Sequence, residues 1–261
     1  MYNKRFVFWA ACLGMLLFGI ALITLGSVAP SLRMKFALDE ISAGTLFSIL
    51  PLGVLAGSLV FGPFCDKFGY KLLLVLSALL LFAGFEGLAF TPSKDLLKIF
   101  IFLIGLGGGA INGATNAVVA DISENEKGAD LSLLGVFFGI GALGMPVILG
   151  MLEKRLSFET IVASVGVLTL LTALIFGMVT FPPAKQAQGI PISGTIGLVK
   201  DGVLLMIAFF LFFQSSFEAI MNNWTTTFII DRYQVTQDKA LFALSSFVAG
   251  MSVMRLLIGS V

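Results

Sequence analysis

The residues Gly62-Pro63-Phe64-Cys65-Asp66-Lys67-Phe68-Gly69-Tyr70-Lys71 form a short charged turn between two apolar stretches, Ala43–Phe64 and Leu72–Phe90. Each stretch reaches the roughly 20 mostly apolar residues that a bilayer crossing needs. Working outward on that criterion, eight spans are expected, at 6–29, 43–64, 72–91, 97–120, 131–151, 160–181, 203–230 and 240–261. The expected fold class is an all-α membrane protein. Lys4 and Arg5 ahead of the first run do not mark a cleaved signal, because the run from Phe6 to Ala29 is too long for one and seven more follow.

Composition points the same way. The chain is 58% hydrophobic and 12% charged, with a mean hydropathy of +1.03; a soluble domain carries about 25% charged residues. Its 29 glycines suit close helix contact, where no hydrophobic effect draws helices together. A net charge of +1 without a basic cluster argues against nucleic acid as a partner. The chain has no His, so any proton coupling needs a carboxylate. Cys12 and Cys65 give no disulfide framework. There is no nucleophile–base pair, metal-ligand set or nucleotide loop, so neither an enzyme nor a bound cofactor is expected.

Connections are short except Pro182–Gly202, which holds Pro182, Pro183 and Pro191 with Lys185, Gln186, Gln188, Lys200 and Asp201. It reads as a polar linker between a first six-helix bundle (1–181) and the first two helices of an incomplete second one (203–261). Loop charge does not orient the chain. With the N-terminus inside, Lys4, Arg5, Lys67, Lys71, Lys127, Lys185 and Lys200 face Arg33, Lys35, Lys94, Lys98, Lys154, Arg155, Arg232 and Lys239, seven against eight.

The opening turn resembles the signature loop of the major facilitator superfamily of transporters, G-x-x-x-D-x-x-G-x-[RK], with Gly62, Asp66, Gly69 and Lys71 in the matching positions. The resemblance implies a bundle of twelve helices in two six-helix repeats, a cytoplasmic signature loop and hence a cytoplasmic N-terminus. It also implies a bacterial-type inner membrane location, a small-molecule substrate and a gating role for the four matching residues. An internal echo agrees: Gly53 and Gly62 flank Ser58-Leu59, and Gly250 and Gly259 flank Arg255-Leu256, 197 positions later. On this reading the second repeat stops after two spans, so about eight of twelve helices are present and the chain is expected to be C-terminally truncated.

Ionisable groups inside a membrane cost about 2.5–3.5 kcal/mol each and need a reason. Glu218 sits mid-span in Gln214-Ser215-Ser216-Phe217-Glu218-Ala219-Ile220-Met221-Asn222-Asn223-Trp224, with Gln214 and Asn222 one turn to either side. It reads as a substrate-binding or proton-accepting carboxylate, with interhelical hydrogen bonding as the alternative. Trp224 is expected to offer a stacking platform. Asn112 and Asn116, one turn apart in Gly105–Asn116, present paired carboxamides suited to sugar hydroxyls or to helix contacts. Glu86 lies within snorkelling reach of the interface, and Arg255 reads as a gate residue. Gly135, Gly139, Gly144 and Pro146 mark a thin, bendable packing helix.

The stretch Gly105-Leu106-Gly107 with Asn112 and Asn116, the run Phe137-Phe138-Gly139-Ile140-Gly141-Ala142, and Glu218 with Trp224 resemble the fucose/galactose/glucose-proton symporter branch. That branch implies a sugar substrate and symport. The chain departs from it at Asn112, where the branch often has a carboxylate, and at Ser132 and Gly135, where it commonly has Asn and His; its span 1 acid has no counterpart here. Glu218 is then the one central carboxylate left for coupling. The expected function is alternating-access transport of a small polar solute, a sugar first, with Asn112, Asn116, Glu218, Asn222 and Trp224 lining the site. Export of amphipathic compounds and a non-transporting membrane protein are the alternatives.

Overall fold

The computed structural model describes residues 2–123, 127–183 and 200–259, with side chains as far as Met254. These residues form seven helices: α1 Lys4–Phe36, α2 Glu40–Phe90, α3 Lys94–Ile122, α4 Lys127–Leu152, α5 Phe158–Met178, α6 Gly202–Tyr233 and α7 Gln237–Gly259. Six of them, α1 to α6, are long and apolar enough to cross a membrane. Short polar residues start them. Asn3, Asp39, Ser93, Ser157 and Asp201 each accept a backbone N–H of the first turn, which satisfies donors that have no partner inside the helix.

The charged decapeptide is helical on both sides of a single turning residue. α2 runs on through Phe68 and leaves helical geometry at one residue, Gly69, with φ 82° and ψ 166°. That backbone is open to glycine and strained for other residues. The chain reverses there. Gly53 packs on Phe102 and Gly105, and Gly84 packs on Phe100 and Ile104. A straight helix would hold Gly53 and Gly84 about 46 Å apart at 1.5 Å per residue, so both can meet the same stretch of α3 only if α2 folds back into two arms. The first arm runs parallel to α3 (Gly53 at Gly105, Gly57 at Leu106, Phe61 at Gly113) and the second antiparallel (Ser77 at Gly107, Gly84 at Ile104).

Small residues set these contacts. A methyl group added at Gly57, Gly105 or Gly109 would overlap a backbone carbonyl of the facing helix, so the first arm of α2 and α3 meet backbone to backbone through Gly53-x-x-x-Gly57 and Gly105-x-x-x-Gly109. On α4 the contact glycines are Gly141, against Leu16 of α1, and Gly139, against Ser252 of α7; added side chains at Gly135 and Gly144 would meet open space. The ends of the bundle are called basal (Lys4, Gly69, Ile122) and distal (Phe36, Phe90, Lys94, Tyr233). α6 runs from basal to distal beside α1, and α7 returns beside α4, with Leu241 at Gly150 and Ser252 at Gly139.

Most of the expected linker, 184–199, and the side chain of Arg255 lie outside the described residues. Glu86 does not snorkel outward. It is half-buried against Gly166 of α5, and its Oε1 is buried with no partner among the described residues.

Candidate functional site

Midway along α1, a cavity of about 370 Å³ opens between α1, the first arm of α2 around Pro51, α4 and α6. Its walls differ in chemistry. Phe18 and Leu22 of α1, Leu50, Pro51 and Val54 of α2, and Phe138 of α4 are apolar; Gln214, Ser215, Glu218, Ala219 and Asn223 all come from α6. The Phe18 and Phe138 rings lie 5.5 Å apart at a 43° tilt, giving an aromatic wall opposite the polar one.

Hydrogen bonds along α6 orient the polar wall. The Gln214 amide nitrogen donates to Glu218 Oε2 at 3.1 Å, one helical turn away. The Asn223 amide nitrogen donates to the Ala219 carbonyl at 2.9 Å. Asn223 is 7% exposed, and its Oδ1 is buried with no partner among the described residues.

The expected site residues do not all meet at this cavity. Glu218 lines it, and so do Gln214 and Asn223. Asn222 turns instead to α1, where its backbone carbonyl sits so close to Gly26 that an added methyl group would overlap it. Trp224 packs edge-on against Phe47 of α2, with ring centroids 4.8 Å apart and planes at 68°. Asn112 and Asn116 lie basal to the cavity: Asn116 donates to the Asn112 carbonyl at 2.9 Å and to its Oδ1 at 3.0 Å, and approaches the Met15 sulfur at 3.9 Å. Ser215, Asn223, Phe18 and Phe138 were not singled out by the sequence. Stepping by four from 214 reaches 218 and then 222, but at the cavity the row 215, 219 and 223 continues beside Glu218 while Asn222 meets α1.

The four residues of the signature turn also separate. Gly69 makes the reversal. An added side chain at Gly62 would meet open space, so that position imposes no close contact here. Asp66 and Lys71 are exposed, and Lys67 rests over the Phe68 ring at 5.1 Å. The tie that the sequence did not announce is Tyr70, whose buried hydroxyl donates to Asp121 Oδ2 at 2.9 Å and joins the turn to the basal end of α3. Burial, and then that bond, push the Tyr70 hydroxyl above the ordinary tyrosine range.

Above the cavity the seam is shut. The Thr226 hydroxyl donates to the Gly26 carbonyl at 2.6 Å, Gln237 donates to Ser31 at 3.2 Å, and Arg33 pairs with Asp231 at 2.9 Å. Lys154, past the end of α4, pairs with Asp238 of α7 at 3.1 Å. A second cavity of about 420 Å³ lies beyond this layer, lined by Pro30, Arg33, Thr227 and Asp231 among others. Below the first cavity, by contrast, the apolar side chains of α6 from Val203 to Phe213 are exposed.

The sequence pattern of the Major Facilitator Superfamily matches residues 11–261. The chain is 31% identical over 170 residues to the 4-hydroxybenzoate transporter PcaK of Pseudomonas putida, an overlap of 64% of this chain and 38% of that protein. It is 30% identical over 132 residues to the D-xylose transporter of Levilactobacillus brevis, covering 51% of this chain and 29% of that one. Its fold matches the solved structure of the proton:xylose symporter XylE with a TM-score of 0.77 at 17% identity, over 98% of this chain and 68% of that one. The chain thus spans well under half the length of the two curated relatives. Those relatives, like the family, are transporters and not enzymes.

Proposed function

The chain belongs to the Major Facilitator Superfamily, and from that premise we propose that it carries the solute-binding part of a secondary transporter working by alternating access. The observation that supports this reading most directly is the cavity at mid-depth between α1, α2, α4 and α6, closed above by the Gly26–Thr226 layer. Two bundles that rock about a central site give such a one-sided seal in each end state. We assign the first bundle to residues 1–181, with α2 crossing twice, and the start of the second to 203–261, joined by the linker 182–202. That gives eight crossings of a twelve-helix architecture, a cytoplasmic N-terminus and a bacterial-type inner membrane setting. The Gly69 turn, with Asp66 and Lys71, then sits at the inner mouth as a gating element, together with Arg255.

For the solute we favour a small amphipathic organic molecule, because one wall of the cavity is aromatic and aliphatic and the other is polar. A sugar is the second reading. The Asn112–Asn116 pair, the Trp224 ring and the likeness to a D-xylose transporter favour it; it requires those residues to reach the solute in another state of the cycle. In both readings Glu218 is the coupling carboxylate, since it is the ionisable group on the cavity wall.

Reconstitution of the complete reading frame into vesicles tests the proposal. Glu218→Gln is expected to abolish accumulation driven by a proton gradient while sparing solute exchange. Full accumulation by that variant removes Glu218 from the mechanism.

A further inference from the structure

The closed layer between the two cavities is one turn of α6 thick. Asn223 lines the central cavity and Thr227, four residues on, lines the distal one, a rise of about 6 Å. Against that turn α1 sets Gly26 and, four residues later, Pro30. In a regular helix the carbonyl of residue 26 would take the N–H of residue 30, and proline has none. The Thr226 hydroxyl of α6 donates to that carbonyl at 2.6 Å. Other hydroxyls in these helices turn back on their own backbone: Thr24, Ser27, Ser216, Ser245 and Ser252 each donate to the carbonyl four residues earlier. Thr226 gives its bond to α1 instead. Thr227 Oγ1 is buried with no partner among the described residues, and so are Asn222 Oδ1 and Asn223 Oδ1. A polar atom left so is costly in any state that keeps it from water.

We propose that this turn is the latch of a distal gate and that two neighbouring threonines set its balance. Thr226 holds the gate shut by serving the carbonyl that Pro30 cannot, and Thr227 works against closure. The inference rests on the alternating-access reading and adds what holds, and what releases, one side of the cycle. Once α1 parts from α6 along this single turn, the two cavities join, and water reaches Thr227, Asn222 and Asn223. Closure strips those oxygens of water and returns one short bond across the seam, with the Gly26 backbone contact around it. The two contributions oppose each other, which keeps sealed and open states close enough in free energy to exchange.

Spin labels at Met34→Cys of α1 and Tyr233→Cys of α6, both exposed at the distal end, report the gap by electron–electron resonance. The sample is the complete reading frame in lipid nanodiscs, with the buried Cys12 and Cys65 replaced by Ala. The ratio of longer to shorter separations is the ratio of open to sealed gate. Thr226→Val should raise that ratio about tenfold, the worth of one hydrogen bond. Adding Thr227→Val to that variant should bring it back down about tenfold, because valine keeps the shape and removes only the unpaired hydroxyl. Pro30→Ala restores an N–H for the Gly26 carbonyl, so Thr226→Val made on that background should change the ratio less than about threefold. An unchanged or higher ratio on adding Thr227→Val, or a full-sized Thr226→Val effect in the Pro30→Ala variant, overturns the proposal. Gly26→Leu tests the reading beneath it. If that substitution lengthens the separation while the threonine variants leave the ratio at its native value, the gate stands and the latch falls. If one separation persists in every variant, Gly26→Leu included, no gate opens at this seam and the alternating-access reading falls with the proposal.

Discussion

The two halves of α6 meet the rest of the molecule in opposite ways. From Asn222 to Thr227 the helix is held against α1: Asn222, Asn223, Thr226 and Thr227 are all buried, and its backbone touches that of α1 at Gly26. From Val203 to Phe213 the same helix is apolar on every side and exposed on every side. Within this chain, the part of α6 that meets another helix is therefore its polar part. In lipid, apolar surface gains little by finding another helix, and close backbone approach with interhelical hydrogen bonds decides the contact. The polar, small-residue half is the one that docks, and the Phe-rich half is the one left bare.

Four substitutions test this contrast, in descending order of effect. Gly26→Leu attacks the docked half directly, because even a methyl group there overlaps the Asn222 carbonyl. Overpacking of this kind costs about 1–3 kcal/mol or more, so α6 should part from α1 and transport should fall at least about tenfold. Labelling of a cysteine introduced at Thr227 by a membrane-impermeant reagent should rise in parallel. Unchanged labelling would mean that the backbone contact is not what seals the seam.

Gly69→Ala strains the basal reversal, since φ 82° with ψ 166° is all but closed to a residue with a side chain. A loss of about 1–3 kcal/mol is expected, read as lower thermal stability in detergent, against a change within about 0.5 kcal/mol for Gly62→Ala. Equal losses at both positions would erase the distinction drawn between the two glycines. Tyr70→Phe removes only the hydroxyl that bonds Asp121, and should cost about 0.5–1.5 kcal/mol, measured the same way.

The smallest effect belongs to the distal rim. Hydrogen bonds from the Thr236 hydroxyl and then Lys154 hold Asp238 down from 3.8 to about 2. A carboxylate depressed in the folded state adds stability that is fully present above its unfolded value and is lost as pH falls through the folded one. The tie between Lys154 and α7 should therefore weaken between about pH 4 and pH 2, and Asp238→Asn should flatten that part of the profile. Glu153 beside it runs the other way: burial, then the charge of Asp238, raises it, so its contribution falls as pH rises through its titration.

The sequence reveals depth in the membrane well and direction around each helix poorly. Hydropathy located the apolar runs of α1 to α6, two of them in α2, while α7 over its described residues does not reach the length and apolarity of a span, and Gly69 was legible through the signature spacing. Glu218 was legible as a cavity carboxylate because a charge at mid-span has few other places to go. The residue beside it was not. Stepping by four from 214 through 218 reaches Asn222, yet α1 crosses α6 at Gly26 and takes Asn222 into the seam, which leaves Asn223 at the cavity. A rotation of about 100° separates the two, and only the partner helix fixes it. Trp224, expected as a stacking platform, packs here on the Phe47 ring instead of lining the cavity. Asn112 and Asn116, read from the sequence as solute ligands or helix contacts, bond to each other in this structure.

The bonds of the distal seal join residues far apart in the chain: Thr226 to Gly26 across 200 positions, Arg33 to Asp231 across 198, and Gln237 to Ser31 across 206. On the ribosome those partners emerge about 10–40 s apart at 5–20 residues per second. For that interval α1 is in the bilayer with Gly26, Ser31 and Arg33 waiting for partners still unmade. The seal is thus a late event of biogenesis, and nascent chains halted before Asn222 should expose these α1 positions to any chaperone or insertase beside them.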